Sequence, residues 1–286
     1  MGRFLNSITP VDAYRSTVSG KYFVDKSKLI GELIPELGMD ERFFCFTRPR
    51  RFGKSIMANM VAAFFGKAAD TKDIFHKLTI SSFAEYSRHL NQHDIIYIDF
   101  SKVPRACKSY QQYINRIQDG INSDLAEAYP DFSIDIGGAV WDVLSDIFQK
   151  TGCKFIFILD EWDAVFHMPF ITEAERREYL LFLKSLLKGN AFAELVYMTG
   201  ILPIAKYSDG SELNMFKEYN MAVKMRFCEY FGFTDSEVDA LYNVYLKSNA
   251  HPRIARADLR IWYDGYYTKA GIKLYNPRSI ICALTD

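Results

Sequence analysis

The sequence predicts a three-layer α/β/α sandwich built on a parallel sheet, with a small helical appendage towards its C-terminal end. Three observations carry that expectation. Short, almost unbroken apolar runs recur over the first 230 residues, as parallel strands covered on both faces require. Segments with apolar residues at helical spacing separate them. Beyond residue 230 the pattern changes, becoming aromatic and rich in loops. Strands alternating with helices place a ligand crevice at the carboxyl ends of the strands.

The elements follow in order. "RFFCFT" (42–47) reads as a first strand that leads into a loop rich in Arg, Pro and Gly. Ser55 to Phe65 reads as a helix, with Met57, Met60, Val61 and Phe64 on one face. "DIIYIDF" (94–100) is a second buried strand. Residues 108–128 carry Tyr110, Tyr113, Ile114, Ile117, Ile121 and Leu125 at helical spacing. "KFIFILDE" (154–161) is a third strand, apolar almost throughout. Thr172 and Glu175 form a capping-box pattern that opens a helix closing at Gly189-Asn190. "ELVYMTG" (194–200) is a fourth strand and "AVKMRF" (222–227) a fifth. A second capping box, Thr234 with Glu237, opens the appendage. The expected division is a nucleotide-type core over 1–229, with 1–40 as its lead-in, and a C-terminal subdomain over 230–286.

Bulk properties bound the function. The chain has 286 residues, 49% hydrophobic and 15% aromatic, enough for one large core plus a smaller unit. Lys plus Arg and Asp plus Glu are both 35, so net charge favours neither a nucleic-acid nor a membrane partner, and any basic function is local. The five cysteines are scattered and the five histidines complete no metal pattern. No run approaches the ~20 apolar residues of a membrane helix, and the N-terminus lacks a signal-type stretch. The expectation is a soluble cytoplasmic protein.

The chemistry concentrates in "TRPRRFGKSIM" (47–57). A strand followed by a glycine-bearing loop and a helix N-terminus is a phosphate cradle. In it Gly53 permits close backbone approach, Lys54 supplies a cation to the β- and γ-phosphates, and the Ser55 hydroxyl is a Mg²⁺ ligand. Arg48, Pro49, Arg50, Arg51, Phe52 and Ile56 complete the candidate nucleotide-binding loop. The usual first glycine is replaced by Arg48. Pro49 fixes its own φ and biases Arg48 towards an extended conformation, an alternative way to set the loop's direction. A bare Gly-Lys-Ser is also compatible with an exposed basic turn.

The third strand ends in Asp160 and Glu161, which decides between these readings. Asp160 is placed to hold the Mg²⁺ shell and Glu161 to orient and polarise an attacking water. Thr199, at the end of the fourth strand, is a candidate to touch the γ-phosphate or the water; its bland alternative is a turn hydroxyl. Asp99 ends the second strand near the crevice. The implied cofactors are ATP and Mg²⁺.

These pieces together resemble the predicted AAA-ATPase-like proteins of bacteria, relatives of the AAA P-loop ATPases. The resemblance rests on "YFVDKSKLI" (22–30), "TRPRRFGKS" (47–55), "LDEWD" (159–163), "MTGI" (198–201), "FGFTDSEV" (231–238) and "WYDGYY…LYNP" (262–277), and so spans nearly the whole chain. It implies that a missing glycine at Arg48 is normal, that Lys54 and Ser55 are the phosphate lysine and Mg²⁺ hydroxyl, and that Asp160 and Glu161 are the metal acid and water-activating acid. It also implies that "FVDKS" leads into the nucleotide core near the base. "NPRS" departs from the more usual Asn-Pro-Trp-Ser, and 208–220 departs from the expected Ser-Gly-Leu-Asn-Asn-type stretch. Many relatives continue into a nuclease-like domain of the PD-(D/E)XK type, whereas this sequence stops at Asp286: an ATPase module alone or a fragment of a longer protein.

The leading expectation is an ATPase that binds Mg-ATP at 48–56. An alternative is a nucleotide-dependent switch with little turnover, since no arginine finger is assignable and Arg226 is only a candidate. A third makes "RPRR" a nucleic-acid contact. A protein partner or self-association is compatible with any of the three.

Overall fold

A computed structural model describes residues 2–207, 210–221, 226–249, 251–268 and 271–285. Its strands are β1 (Phe43–Thr47), β2 (Asp94–Asp99), β3 (Phe155–Asp160), β4 (Ala193–Gly200), β5 (Lys217–Asn220), β6 (Asp264–Tyr267) and β7 (Lys273–Tyr275). Its helices are α1 (Thr9–Val18), α2 (Lys28–Leu33), α3 (Lys54–Phe65), α4 (Lys72–Phe75), α5 (Tyr86–His89), α6 (Tyr110–Ala128), α7 (Val140–Thr151), α8 (Glu173–Leu187), α9 (Asp235–Ser248), α10 (Arg256–Tyr263) and α11 (Pro277–Thr285).

The first five strands form one parallel sheet in the order β2-β3-β4-β1-β5. Alternate residues of each strand serve opposite faces, and the two cores follow that alternation. Phe43, Cys45, Phe157, Leu159 and Met198 face a core shared with α6, α7 and α8. Phe44, Phe46, Ile158 and Tyr197 face the opposite core, built with α1, α2 and α3. The molecule is therefore the expected three-layer α/β/α sandwich. Full burial of every residue in β1 and β3 explains their unbroken apolar sequences.

Both capping boxes form. Glu175 N–H donates to Thr172 Oγ1 at 3.4 Å and Thr172 N–H to Glu175 Oε2 at 2.7 Å. Thr234 and Glu237 repeat the exchange at 3.3 and 2.8 Å. These local signals start α8 and α9 at the residues the sequence marks.

The fifth strand departs from expectation. Of the expected segment, 222–225 lie outside the described residues, while Arg226 and Phe227 sit in a turn. The edge strand is instead Lys217–Asn220, in which Tyr219 is the fully buried residue. An edge strand with one covered face carries no apolar run, so its sequence is nearly silent. The C-terminal part also differs from a purely helical appendage: β6 and β7 pair as an antiparallel hairpin between α10 and α11.

A third core joins that part to the N-terminal lead-in. Val238, Leu241, Leu259, Tyr275 and Ile280 pack with Tyr22, whose hydroxyl donates to Leu284 O at 3.0 Å. Lys26, only 9% exposed, pairs with Glu237 at 2.5 Å and donates to Glu229 O at 2.6 Å.

Candidate nucleotide site

The carboxyl ends of β1, β3 and β4 converge on one place. After Thr47 the chain passes through residues 48–52 and turns into α3 at Gly53, φ +84°. A Cβ at Gly53 would meet nothing within 4 Å. Backbone torsion, and not lack of space, therefore selects glycine there. Helix α3 begins with no side-chain cap and no acid in its first turn, so its first N–H groups and its dipole offer unopposed positive potential.

Arg48 turns away from this opening. It is 1% exposed, and its Nη1 donates to Thr47 O at 2.8 Å and Tyr219 O at 2.5 Å. The guanidinium lies 4.7 Å over the Phe231 ring, and among the described residues its Nε and Nη2 have no hydrogen-bond partner. Burial pushes it down to about 10. Its backbone N–H donates to Gly200 O at 3.1 Å. Arg48 thus ties the end of β1 to both neighbouring strands, beneath the loop. Phe52 is buried edge-on against Tyr266, with ring centroids 4.7 Å apart. Of the loop's basic residues, Arg50, Arg51 and Lys54 line a common cavity of ≈ 480 Å³ together with Gly53, Ser55, Ile56 and Glu161. Pro49 contributes its carbonyl: Lys54 Nζ donates to Arg48 O at 3.0 Å and Pro49 O at 3.2 Å. Burial lowers the Lys54 pKa, and the Glu161 and Asp160 carboxylates oppose that shift.

Asp160 ends β3 and is 3% exposed. Thr199 Oγ1 donates to Asp160 Oδ1, and Glu161 N–H donates to Thr199 Oγ1 at 3.3 Å. Ser55 and Asp160 line one cavity, and burial pushes the Asp160 carboxylate above the usual range while Ser55 and Thr199 oppose that shift. The chain then turns left-handed at Glu161, φ +51°, an uncommon conformation for a side-chain-bearing residue and one that clusters at functional sites. Glu161 is half-buried, and burial first and Asp160's charge second raise its pKa. So the structure brings Lys54, Ser55, Asp160, Glu161 and Thr199 together. Thr199 reaches the two acids; its hydroxyl donates to one and accepts from the backbone of the other.

Asp99, the register partner of Asp160, accepts from Ser101 N–H at 3.0 Å and sits 3.4 Å from Lys102. Arg226 lies elsewhere, paired with Glu32 and Glu36 at 3.5 and 3.4 Å. The "FVDKS" segment abuts the loop: Phe23 and Val24, with the preceding Tyr22, line a narrow apolar cleft with Phe52, Met57 and Phe233.

Three residues of the site were not singled out from sequence. Asp163, 2% exposed, accepts from Ile201 and Leu202 N–H at 3.0 Å each and braces the turn after β4. Its signal was the third acid of "LDEWD". Arg278, at the start of α11, lines the loop cavity, and Asn276 Nδ2 donates to Arg50 O at 3.3 Å. Both lie in "NPRS", whose arginine was the visible irregularity.

The donor set suits Mg²⁺. That ion takes one or two carboxylates plus waters and phosphate oxygens, and not a cage of protein ligands. Asp160 and Ser55 supply such a partial set, and among the described residues the buried Asp160 carboxylate forms no ion pair, feeling Lys54 only at longer range. Among the described residues no cluster of three His, Cys, Asp or Glu side chains could hold a metal alone.

Fold and site together define a P-loop ATPase-like domain. The family model for predicted AAA-ATPases matches residues 12–208, and the chain belongs to that family. A similar protein is an uncharacterized protein in the vnfD 5′ region of Azotobacter chroococcum mcd 1, 25% identical over 275 residues. The alignment covers 91% of this chain and 48% of that protein, so the chain spans about half the length of its relative. Among solved structures, the Aeropyrum pernix ORC2 protein in its ADPNP–ADP complexes matches 77% of this chain and 49% of its own, at 10% identity and a TM-score of 0.37. Among the described residues no helix is long and apolar enough to cross a membrane.

Proposed function

We propose that this chain binds Mg-ATP on the 48–56 loop and hydrolyses it, with Glu161 as the base that activates water. One observation carries the reading: Ser55 and the buried Asp160 line one cavity, and the adjacent Glu161 lines another together with Ser55 and Lys54. The α3 N-terminus, Lys54, Arg50, Arg51 and Arg278 hold the phosphates by positive potential. The apolar cleft at Tyr22, Phe52 and Phe233 takes the base. Ser55 and Asp160 hold the Mg²⁺, which when bound neutralises charge developing on the phosphate oxygens. Glu161 accepts the water's proton, and its raised pKa brings its basicity closer to that task. Thr199 fixes both acids through one hydroxyl.

The test is Glu161→Gln. The variant is expected to keep wild-type nucleotide affinity and to lose hydrolysis by about 10²–10⁴-fold, the range of general-base catalysis. Wild-type turnover in that variant would sink the assignment. A switch with little turnover is the second reading, favoured by Lys54 being held by two loop carbonyls, so that phosphate engagement must rearrange the loop. Nucleotide binding that shifts the protein's conformation, with no hydrolysis by wild type, selects it. The nucleic-acid reading is weakened by Arg48, whose charge is buried and inaccessible to a duplex.

A further inference from the structure

A second cavity, of ≈ 420 Å³, lies on the other flank of Ser55 and Asp160, between α1, α3, the end of β2 and α6. Its volume falls in the range of small-molecule sites. Three separate segments contribute cations to its lining: Arg3 from the N-terminal segment, Lys102 after β2, and Arg116 on α6. Lys102 is matched by Asp99 at 3.4 Å. Among the described residues Arg3 and Arg116 have no carboxylate partner; Arg3 lies 5.5 Å over the Phe4 ring, and Arg116 is half-buried beside the buried Ile117. Two guanidinium groups that line one concave space, exposed Arg3 and half-buried Arg116, can receive an anion, because their fork geometry suits phosphate oxygens.

The same lining also carries acids. Asp99 and Asp160 stand side by side at the strand ends, with the Asn59 amide nearby. Carboxylates repel an anion and accept hydrogen bonds from hydroxyl groups. The lining therefore offers both guanidinium groups, of Arg3 and Arg116, to an anion and carboxylates, of Asp99 and Asp160, to hydroxyl groups.

We propose that this cavity is a binding site for a small hydroxylated phosphomonoester. Its phosphate lies on Arg116 and Arg3, and its hydroxyl-bearing body points to Asp99, next to the metal end of the nucleotide site. The cavity shares Ser55 and Asp160 with the proposed nucleotide site, but Arg50, Arg51, Lys54 and Glu161 line the other cavity, so binding at Arg3 and Arg116 is separable from binding on the loop.

The experiment titrates the full chain with ribose 5-phosphate and, separately, inorganic phosphate by calorimetry, alongside Mg-ATP. Wild type, Arg116→Glu, Arg116→Gln and Lys54→Ala are compared, with melting temperatures as a check on folding. Saturable ribose 5-phosphate binding is expected, tighter than inorganic phosphate. Arg116→Glu should weaken it about tenfold or more, the effect of losing a charge-assisted hydrogen bond, and leave Mg-ATP affinity unchanged. Arg116→Gln gives a smaller loss in the same direction and serves if the charge reversal does not fold. Lys54→Ala should do the reverse. No saturable binding of either probe overturns the proposal. So does ribose 5-phosphate binding that Lys54→Ala abolishes and Arg116→Glu leaves intact, since the probe would then sit on the loop. Equal affinity for the two probes overturns the hydroxyl-binding role of Asp99 and Asp160. Loss of Mg-ATP binding in wild type with ribose 5-phosphate binding retained would fail the proposed function and spare this site.

Discussion

Replacing Arg48 with glycine restores the residue that phosphate loops usually carry five positions before Gly53, and it should harm this protein. The side chain is buried and makes two hydrogen bonds to backbone carbonyls, of Thr47 and Tyr219. Hydrogen bonds from a charged donor contribute about 1.5–3 kcal/mol each. Its buried methylene stem adds about 2 kcal/mol at ~0.8 per methylene. Against this stands the desolvation that lowers its pKa to about 10 from 12.5, roughly 3 kcal/mol at ~1.36 per unit. The net expectation for Arg48→Gly is a loss of about 2–5 kcal/mol, which at ~2–4 °C per kcal/mol lowers the melting temperature by roughly 5–20 °C. The loss should come with release of the edge strand β5, because Tyr219 O loses its partner across to β1. Arg48→Met keeps the packing of the stem and removes the hydrogen bonds, so its cost should be smaller. Thermal and urea unfolding measure both variants, with Mg-ATP affinity recorded in parallel. An Arg48→Gly protein as stable as wild type, with nucleotide binding retained or improved, would refute the idea that Arg48 is the structural brace of the loop.

Three further outcomes follow from the site. Glu161 titrates above the ordinary glutamate range, and a base works only when deprotonated, so kcat should fall as pH drops through that raised value; a kcat that stays flat down to about 4.3 contradicts this. By the same sign, any stability that Asp160 and Glu161 contribute through their raised pKa values is present below the ordinary carboxylate range and is lost as pH rises through the folded values. Thr199→Val removes the hydroxyl that links Asp160 to the Glu161 N–H, and should lower kcat about 10–100-fold with Mg-ATP affinity little changed. Single-turnover hydrolysis at the wild-type rate would show that the hydroxyl is only a turn contact. Gly200→Ala places a methyl 2.5 Å from Trp162 Nε1 and 3.0 Å from Asp163 Oδ1, an overpacking expected to cost about 1–3 kcal/mol; an unchanged melting temperature argues against so tight a turn.

Much of the core was legible because its signals are local or periodic. The runs at 43–47, 94–99, 155–160 and 193–200 are strands for the reason their composition suggested: they are covered on both faces. The two Thr/Glu boxes are short-range hydrogen-bond exchanges, readable within four residues. The edge strand 217–220 was not legible, since a strand with one covered face alternates polar and buried residues and four residues are too few for a period. Helix α7, with Val140, Leu144 and Ile147 buried, carries a helical period that went unread.

The sequence by itself determined the parallel α/β core, the loop that ends in Gly53-Lys54-Ser55 and the acids at 160–161, because each depends on neighbours in the chain. Tertiary structure alone decided how these meet. The strand order β2-β3-β4-β1-β5 inserts β4 between the loop strand and the acid strand, which is why Thr199 comes to bridge the two acids. It also brings β5 and Phe231 against β1, so the arginine that looked like a phosphate contact is drawn under the loop. A charge beside a phosphate-binding glycine reads as a ligand contact along the chain. Where that charge points is set by the Tyr219 carbonyl, 171 positions away in sequence, and by the Phe231 ring beyond it.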